Sequence, residues 1–277
     1  RDFTINALYA DPASGEIDDW FGGLADLAAR RVRFIGDARQ RIREDHLRIL
    51  RFFRFQARFG VWPADAEAEA ACAELAATLR GLSRERVGME LMNLLALPEP
   101  AEAVARMADL GVLAQVLPEG DPAALAALVA QEARQGVEPQ AVRRLAALLP
   151  ADPPLAEAVA SRLRLSNGQK QRLATAAARS GAPGDAHALA YRLGIEPARD
   201  RLLLAGAPVA PLDGWTIPRF PLKGGVIVAR GVRAGPAVAR ILQTVEARWL
   251  AEQFPDATRV AALLDAVLAE EAKGLRE

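Results

Sequence analysis

The chain has one cysteine, Cys72, and two histidines, His46 and His187, in 277 residues. One thiol excludes an internal disulfide, and three isolated residues of this kind cannot assemble a Cys/His metal centre. Aromatic residues make up only 5% of the chain while 51% is hydrophobic, with alanine very frequent. That profile suits packed amphipathic helices better than a β-sandwich. No apolar run approaches the roughly 18 residues of a membrane span, and no signal peptide is visible. A cytoplasmic monomer with no membrane partner is therefore expected. Basic and acidic residues balance at 35 each, which argues against a uniformly basic nucleic-acid binder. An initiator methionine is also missing, and the alternation of Phe3, Ile5, Ala7 and Tyr9 reads as a strand awaiting an upstream partner. The sequence thus reads as a fragment.

What charge there is lies unevenly. From Arg30 to Arg58 there are ten arginines against Asp37, Glu44 and Asp45, and arginine suits flat bidentate contact with phosphate and stacking on bases. Asp37 as N-cap and Gly60 as C-terminal stop predict one helix over 39–58. Ile42, His46, Ile49, Leu50, Phe53 and Ala57 share its apolar face, and Phe52 and Phe55 are assigned to the core. Asp45 and Arg48, three residues apart, are neighbours on its surface. A carboxylate only accepts hydrogen bonds and a guanidinium only donates. Side by side they match cytosine and adenine, which present an exocyclic amino donor beside a ring-nitrogen acceptor. They mismatch uracil and guanine, at roughly 1–3 kcal/mol for each buried group left unpaired. An ordinary surface salt bridge, Glu44 to Arg48 or Asp45 to Arg48, accounts for the same spacing.

Four stretches in order carry a family resemblance. EDHLRILR, from Glu44 to Arg51, resembles the EDxxRxxR motif of the class II tRNA nucleotidyltransferases, the CCA-adding enzymes, and of the related bacterial poly(A) polymerases. The opening RDFTINALY is similar to their RRDFTxNAL motif entered at its second arginine. Asp19, Gly23 and the Asp26-Leu27 pair are similar to a D-x3-G-x2-D-L segment, and ERVGMELMNLL, from Glu85 to Leu95, resembles an ER-x3-EL helix. Later stretches, LRLSNGQKQRL, YRLGIEPARDRLLLAGA and FPLKGGVIVARGVRAGPAVARIL, resemble the tails of some bacterial members.

The resemblance implies template-independent addition of C and A to tRNA 3′ ends from CTP and ATP, with Mg²⁺. A poly(A) polymerase, or a relative adding only C or only A, is the alternative within the family. A non-catalytic, RNA-binding helical protein is the alternative from another class. Asp45 and Arg48 would read the base, Arg1 and Asp2 would contact the ribose, and Arg51 and Arg54 would reach the triphosphate or order the reading pair. Asn6, Asp19, Gly23, Asp26, Glu44, Glu85 and Arg86 would support them, with Asn6 tying backbone groups. For Glu85, near a helix N-terminus, the ordinary alternative is a cap together with an ion pair to Arg84 or a long-helix arginine. The family's metal ligands come from an upstream Asp-x-Asp that this sequence lacks. Asp18 and Asp19 are adjacent, point to opposite faces of a strand, and do not replace it. No catalytic or metal-binding residue is therefore expected here, and the chain alone is expected to be inactive.

The implied fold is mainly α. A remnant of an α/β nucleotidyltransferase head spans 1–36, followed by an all-helical neck (37–97), body (98–164) and tail (165–277). In the remnant, strands over Phe3–Tyr9 and Glu16–Trp20 flank a DPASG turn, and Arg31–Ile35 forms a third. Helices are predicted over Asp65–Leu79, from Ser83 to Leu95, and over Ala101–Leu110. Asp121-Pro122, Glu138-Pro139 and Asp152-Pro153 each read as an acidic cap with proline in the first turn. Further helices run from Ser166 to about Ser180, over Asp185–Leu193 and Glu196–Ala205, and as a closing pair, Pro236–Phe254 and Asp256–Glu271. Lys223, Arg233 and Gly235, near that pair's start, are candidate contacts to an RNA backbone, with an ordinary helix start as the alternative.

Overall fold

The computed structural model describes residues 1–179 and 185–274. The chain forms two compact units, Arg1–Gly181 with Leu203–Pro208, and Ala182–Leu202 with Val209–Glu277.

The first unit opens on a small β-layer. The Phe3 backbone N–H donates to Asn6 Oδ1 at 3.1 Å, and Thr4–Asn6 turns into a 3₁₀ helix where the apolar alternation predicts a continuous strand. Strands β1 (Tyr9–Ala10) and β2 (Ile17–Asp18) then pair antiparallel, Tyr9 opposite Asp18. Asp11 closes their turn by accepting from the N–H groups of Ala13 and Ser14 at 2.6 and 3.1 Å. The third strand expected over Arg31–Ile35 is reduced to one bridge between Phe34 and Phe3, whose buried rings lie 4.9 Å apart. Helix α1 follows β2 at Gly23–Ala28.

The single helix predicted over 39–58 is two helices, α2 (Ala38–Glu44) and α3 (Arg48–Phe59). Asp37 caps α2 as expected, accepting from the Gln40 N–H at 2.6 Å. The break falls at Asp45, whose backbone is extended at φ −154°, ψ 105°. Its carboxylate accepts from the Leu47 N–H two residues on, at 3.1 Å, the local bond by which aspartate competes with helix continuation. Beyond the break, Ile49, Leu50, Phe52 and Phe53 are buried, and the apolar face of α3 packs as its periodicity predicts.

Helices α4 (Ala66–Leu75), α5 (Arg84–Leu95), α6 (Ala101–Asp109), α7 (Leu113–Val116), α8 (Pro122–Gln135), α9 (Ala141–Leu148), α10 (Pro153–Arg162) and α11 (Asn167–Ala177) complete this unit. After α4 the chain tightens into a 3₁₀ turn over Ala76–Gly81. Asp65, Asp121, Asp152 and Ser166 each accept from a first-turn N–H. Glu138-Pro139 is not such a cap. Helix α9 begins at Ala141 with Gln140 at its N-cap, and the Glu138 carbonyl is taken by Arg143 at 2.6 Å. Ser83 precedes α5 without a side-chain cap bond.

Two long-range contacts fix the neighbours of α5. Glu132 of α8 accepts from Arg143 and Arg144 of α9, each at 2.7 Å, and all three are buried. Arg144 also donates to the carbonyls of Leu95, Leu97 and Pro98 at the end of α5. Removing one partner would leave a buried charge uncompensated, at roughly 3–5 kcal/mol. Midway along α5, Gly88 lies so close to α10 that a Cβ there would fall on the Leu163 carbonyl oxygen.

The second unit contains α12 (Ala186–Leu193), most of α13 (Ile195–Leu204), α14 (Gly224–Ala229), α15 (Pro236–Ala251) and α16 (Ala257–Gly274). Ile227, Ile241, Val245, Trp249, Leu263 and Val267 are among the side chains of its core. Arg240–Glu271, Arg248–Glu270 and Arg259–Glu252 pairs bridge α15 and α16 in antiparallel order, at 2.5–2.7 Å. Exposed pairs of this kind contribute about 0–1 kcal/mol each, so the apolar seam carries the stability.

Gly88→Ala is expected to lower stability in urea by about 1–3 kcal/mol, since the rigid backbone it meets cannot give way. Gly81→Ala, where an added Cβ meets nothing within 4 Å, should stay within about 0.5 kcal/mol of the parent. Equal effects of the two would contradict the packing described for α5.

Candidate functional site

A cleft of about 430 Å³ opens where the N-terminal segment, the α2–α3 break and α5 meet. Arg1, Asp2, Asp45, Arg48 and Arg51 line it, with Arg86 and Glu90 of α5 on the facing wall. Six of these seven are residues that the sequence singles out.

A run of charges builds the cleft from below. Glu90 is only 4% exposed and accepts from Arg54 Nε at 2.6 Å, with an Arg51 nitrogen 3.6 Å away. Arg51 in turn donates to Asp2, which also accepts from Asn6 Nδ2 at 2.5 Å. The guanidinium groups of Arg51 and Arg54 lie over the Phe55 ring, 5.4 and 5.0 Å from its centroid. Asp2 is thus held by Arg51, not by Arg1, which lies over the Tyr9 ring. Burial alone would raise the Asp2 carboxyl, but the bonds from Arg51 and Asn6 outweigh it and hold the group below its usual 3.8. Arg54 does not line the cleft; it acts from behind, through Glu90.

Asp45 and Arg48 line the same cleft without touching one another. Asp45 accepts from the Leu47 N–H on one oxygen and from Arg86, at 2.8 Å, on the other. Arg48 donates to Glu44 at 2.6 Å and to the Arg41 carbonyl at 2.7 Å. Of the two salt bridges the spacing allows, Glu44–Arg48 forms and Asp45–Arg48 does not, because Asp45 sits in the extended break. Hydrogen bonds from Arg48 and then Arg41 lower the Glu44 carboxyl. A fixed acceptor and a fixed donor therefore face one opening, each with capacity to spare.

The remaining motif residues lie elsewhere. Asp19 accepts from the N–H groups of Gly23 and Leu24 at 2.7 and 2.9 Å and so caps α1. Asp26 is fully buried and accepts from Thr4, Arg31 and Arg33 at 2.6–2.7 Å. Gly23 is a glycine because a Cβ would fall on the Thr4 carbonyl. Glu85 is exposed and makes no ion pair among the described residues; its neighbour Arg86 makes the contact to Asp45. Lys223, Arg233 and Gly235 lie in the second unit, where Gly235 precedes α15 at φ 145°. Lys223 and Arg233 are exposed, with no acidic partner among the described residues. Glu90, the acid of the EL pair in the ER-x3-EL resemblance, lines the cleft although the sequence did not single it out as a site residue. A second signal was its place as an acid on the apolar face shared by Val87, Leu91 and Leu94.

No group of three or more His, Cys, Asp or Glu side chains among the described residues is placed to hold a metal. Asp19 is spent on α1, so Asp18 and Asp19 do not form a metal-holding pair. Among the described residues, no carboxylate set fits a nucleotidyl-transfer metal centre.

Two family models match. Residues 1–33 match the poly A polymerase head domain, and residues 65–124 match the probable RNA and SrmB-binding site of polymerase A. The mitochondrial CCA tRNA nucleotidyltransferase 1 of Mus musculus is 30% identical over 279 residues, covering 90% of this chain and 61% of that protein. The Bacillus stearothermophilus CCA-adding enzyme, solved in complex with CTP, superposes with a TM-score of 0.72 at 25% identity, over 99% of this chain and 74% of that one. Over nearly its whole length the chain is similar to class II CCA-adding enzymes. The Thermotoga maritima CCA-adding enzyme, solved with tRNA_CCA, shares its fold, with a TM-score of 0.69 at 21% identity over 98% of this chain and 72% of that one. The chain thus spans about three fifths of the length of the mouse family member.

Asp2 should make the stability of this chain acid-sensitive. Its carboxyl titrates lower in the folded chain than in the unfolded one, so its contribution is complete above about pH 3.8 and is lost as pH falls through the native value. The melting-temperature gap between the parent and Asp2→Asn should therefore be widest near pH 7 and narrow below pH 4. A gap independent of pH would contradict the Asp2–Arg51 pairing.

Proposed function

We propose that this chain supplies the base-reading and RNA-holding part of a CCA-adding tRNA nucleotidyltransferase. The reaction would transfer CMP and AMP from CTP and ATP to a tRNA 3′ end and release pyrophosphate. One observation carries the reading: Asp45 and Arg48 present an acceptor and a donor to one cleft that Arg1, Asp2 and Arg51 also line. Asp45 would accept from the exocyclic amino group of C or A, and Arg48 would donate to the adjacent ring nitrogen. Asp2, already oriented by Arg51 and Asn6, would accept from a ribose hydroxyl, and Arg1 and Arg51 would face the phosphates. Binding of CTP by the Bacillus enzyme and of tRNA by the Thermotoga enzyme supports both ligand classes.

In this reading residues 1–36 belong to the head, 37–97 to a neck carrying the cleft, 98–164 to a body and 165–277 to a tail. The tail would contact tRNA phosphates through Lys223, Arg233 and the α15 start at Gly235, with the salt dependence such contacts carry. The protein would act as a monomer in the cytoplasm. A poly(A) polymerase is the second reading, favoured by the two matched domain models, both described for that enzyme.

The test uses the gene's complete product, a tRNA ending at its discriminator base, Mg²⁺ and each NTP alone and in mixture, with the 3′ ends sequenced. Two Cs followed by one A, with U and G refused, is expected. An A tract would move the assignment to poly(A) polymerase, and no extension despite tRNA binding would leave a non-catalytic RNA binder. Asp45→Ala should weaken CTP and ATP binding about tenfold or more, as loss of a charged hydrogen bond of roughly 1.5–3 kcal/mol requires, and leave tRNA affinity unchanged. Equal loss of both would count against base reading.

A further inference from the structure

A second cavity, of about 440 Å³, lies between α8, the end of α9 and residues 203–206, all within the first unit. It shares no lining residue with the base-reading cleft. Its walls are small and apolar, including Ala127, Leu128, Ala147 and Leu203, and its only charged lining residues are Arg134 and Arg179. Neither arginine faces a carboxylate among the described residues. Arg134 donates to Gln131, which also lines the cavity. Arg179 donates to the carbonyls of Ala146 and Leu149, at 3.0 and 2.5 Å.

Three other partly buried arginines of this unit are neutralised. Arg54, Arg106 and Arg162 each meet a carboxylate within 2.8 Å. Arg179 is different: burial draws its guanidinium below the usual arginine value, with no counter-charge among the described residues to offset it. The carbonyls at the end of α9 supply part of the compensation, as for any cation at a helix C-terminus. That role explains Arg179 alone and leaves Arg134 and the cavity unexplained. Both guanidinium groups keep most of their five N–H donors unspent, and the volume lies in the range of small-molecule sites.

We propose that Arg134 and Arg179 bind a phosphate group in this cavity, the apolar walls admitting the carbon skeleton that bears it. A free nucleoside monophosphate and an RNA backbone both carry that group. The site is independent of base reading at Asp45 and Arg48, so either can fail without the other.

The experiment titrates the 277-residue chain with inorganic phosphate at constant ionic strength, chloride making the balance, and follows heat and melting temperature. Two variants test the site: Arg134→Gln removes an exposed donor, and Ala127→Phe fills the cavity from an exposed position while keeping both arginines. Phosphate should raise the melting temperature of the parent, and each variant should bind at least tenfold more weakly. Arg48→Ala, in the other cleft, should bind as the parent does. AMP and a duplex RNA hairpin, titrated in the same way, separate the two sources: the one that Arg134→Gln and Ala127→Phe both weaken is the ligand class. No response to phosphate beyond that to chloride, or binding indifferent to both variants, or binding lost only in Arg48→Ala, would overturn the proposal.

Discussion

The cleft depends on how the buried charge of Glu90 is met. A carboxylate 4% exposed within a helix persists only if cations close on it, because desolvation of an unpaired charge costs several kcal/mol. Arg51 and Arg54, three residues apart on α3, both turn toward it. That convergence sets α3 against α5, and Arg51 then has a second donor direction to offer Asp2. The N-terminal segment is drawn in by that bond, bringing Arg1 and Asn6 with it. The two arginines are ordered on one side by Phe55 and on the other by Glu90, so little freedom remains for a ligand to remove. A bare run of arginines would have kept its full rotamer entropy.

The break at Asp45 gives this frame its chemistry. In an unbroken helix, Asp45 would lie along the helix surface beside Arg48 and its carboxylate would be spent on that neighbour. Extended, the residue turns one oxygen to the Leu47 N–H and the other to Arg86 of α5. Arg48, first residue of α3, is held separately by Glu44 and by the Arg41 carbonyl of α2. Acceptor and donor are thus each anchored to a different element and kept apart by it, which prevents the pair from satisfying itself. The sequence spacing that suggests a salt bridge ends as two half-filled hydrogen-bonding positions.

Charge is handled by opposite means in the two units. Around the cleft, arginines are collected onto a few buried acids and point inward. In the second unit, α15 and α16 exchange exposed ion pairs along their length, and Lys223 and Arg233 are left without acidic partners among the described residues. Neutral overall composition conceals both arrangements, which is why net charge argued against nucleic-acid binding while the local placement of arginine argued for it.

Much of the fold was legible from short-range chemistry. Asp37, Asp65, Asp121, Asp152 and Ser166 cap helices because each bond closes within two or three residues, and the apolar faces of α3 and α5 follow from helical periodicity. The motif residues Asp2, Asp45, Arg48, Arg51 and Arg86 were also legible, as residue types at fixed spacings, and they do meet at one cleft. Partner choice was not legible. Whether Asp45 bonds Arg48 or Arg86, whether Asp2 bonds Arg1 or Arg51, and whether Glu85 or Glu90 faces the arginines of α3 depend on which elements pack together. The sequence by itself determined which segments become helices and which charges cluster near Asp45. Only the tertiary structure decided which acid meets which arginine, because those bonds join residues as many as 49 positions apart and no local rule reaches that far.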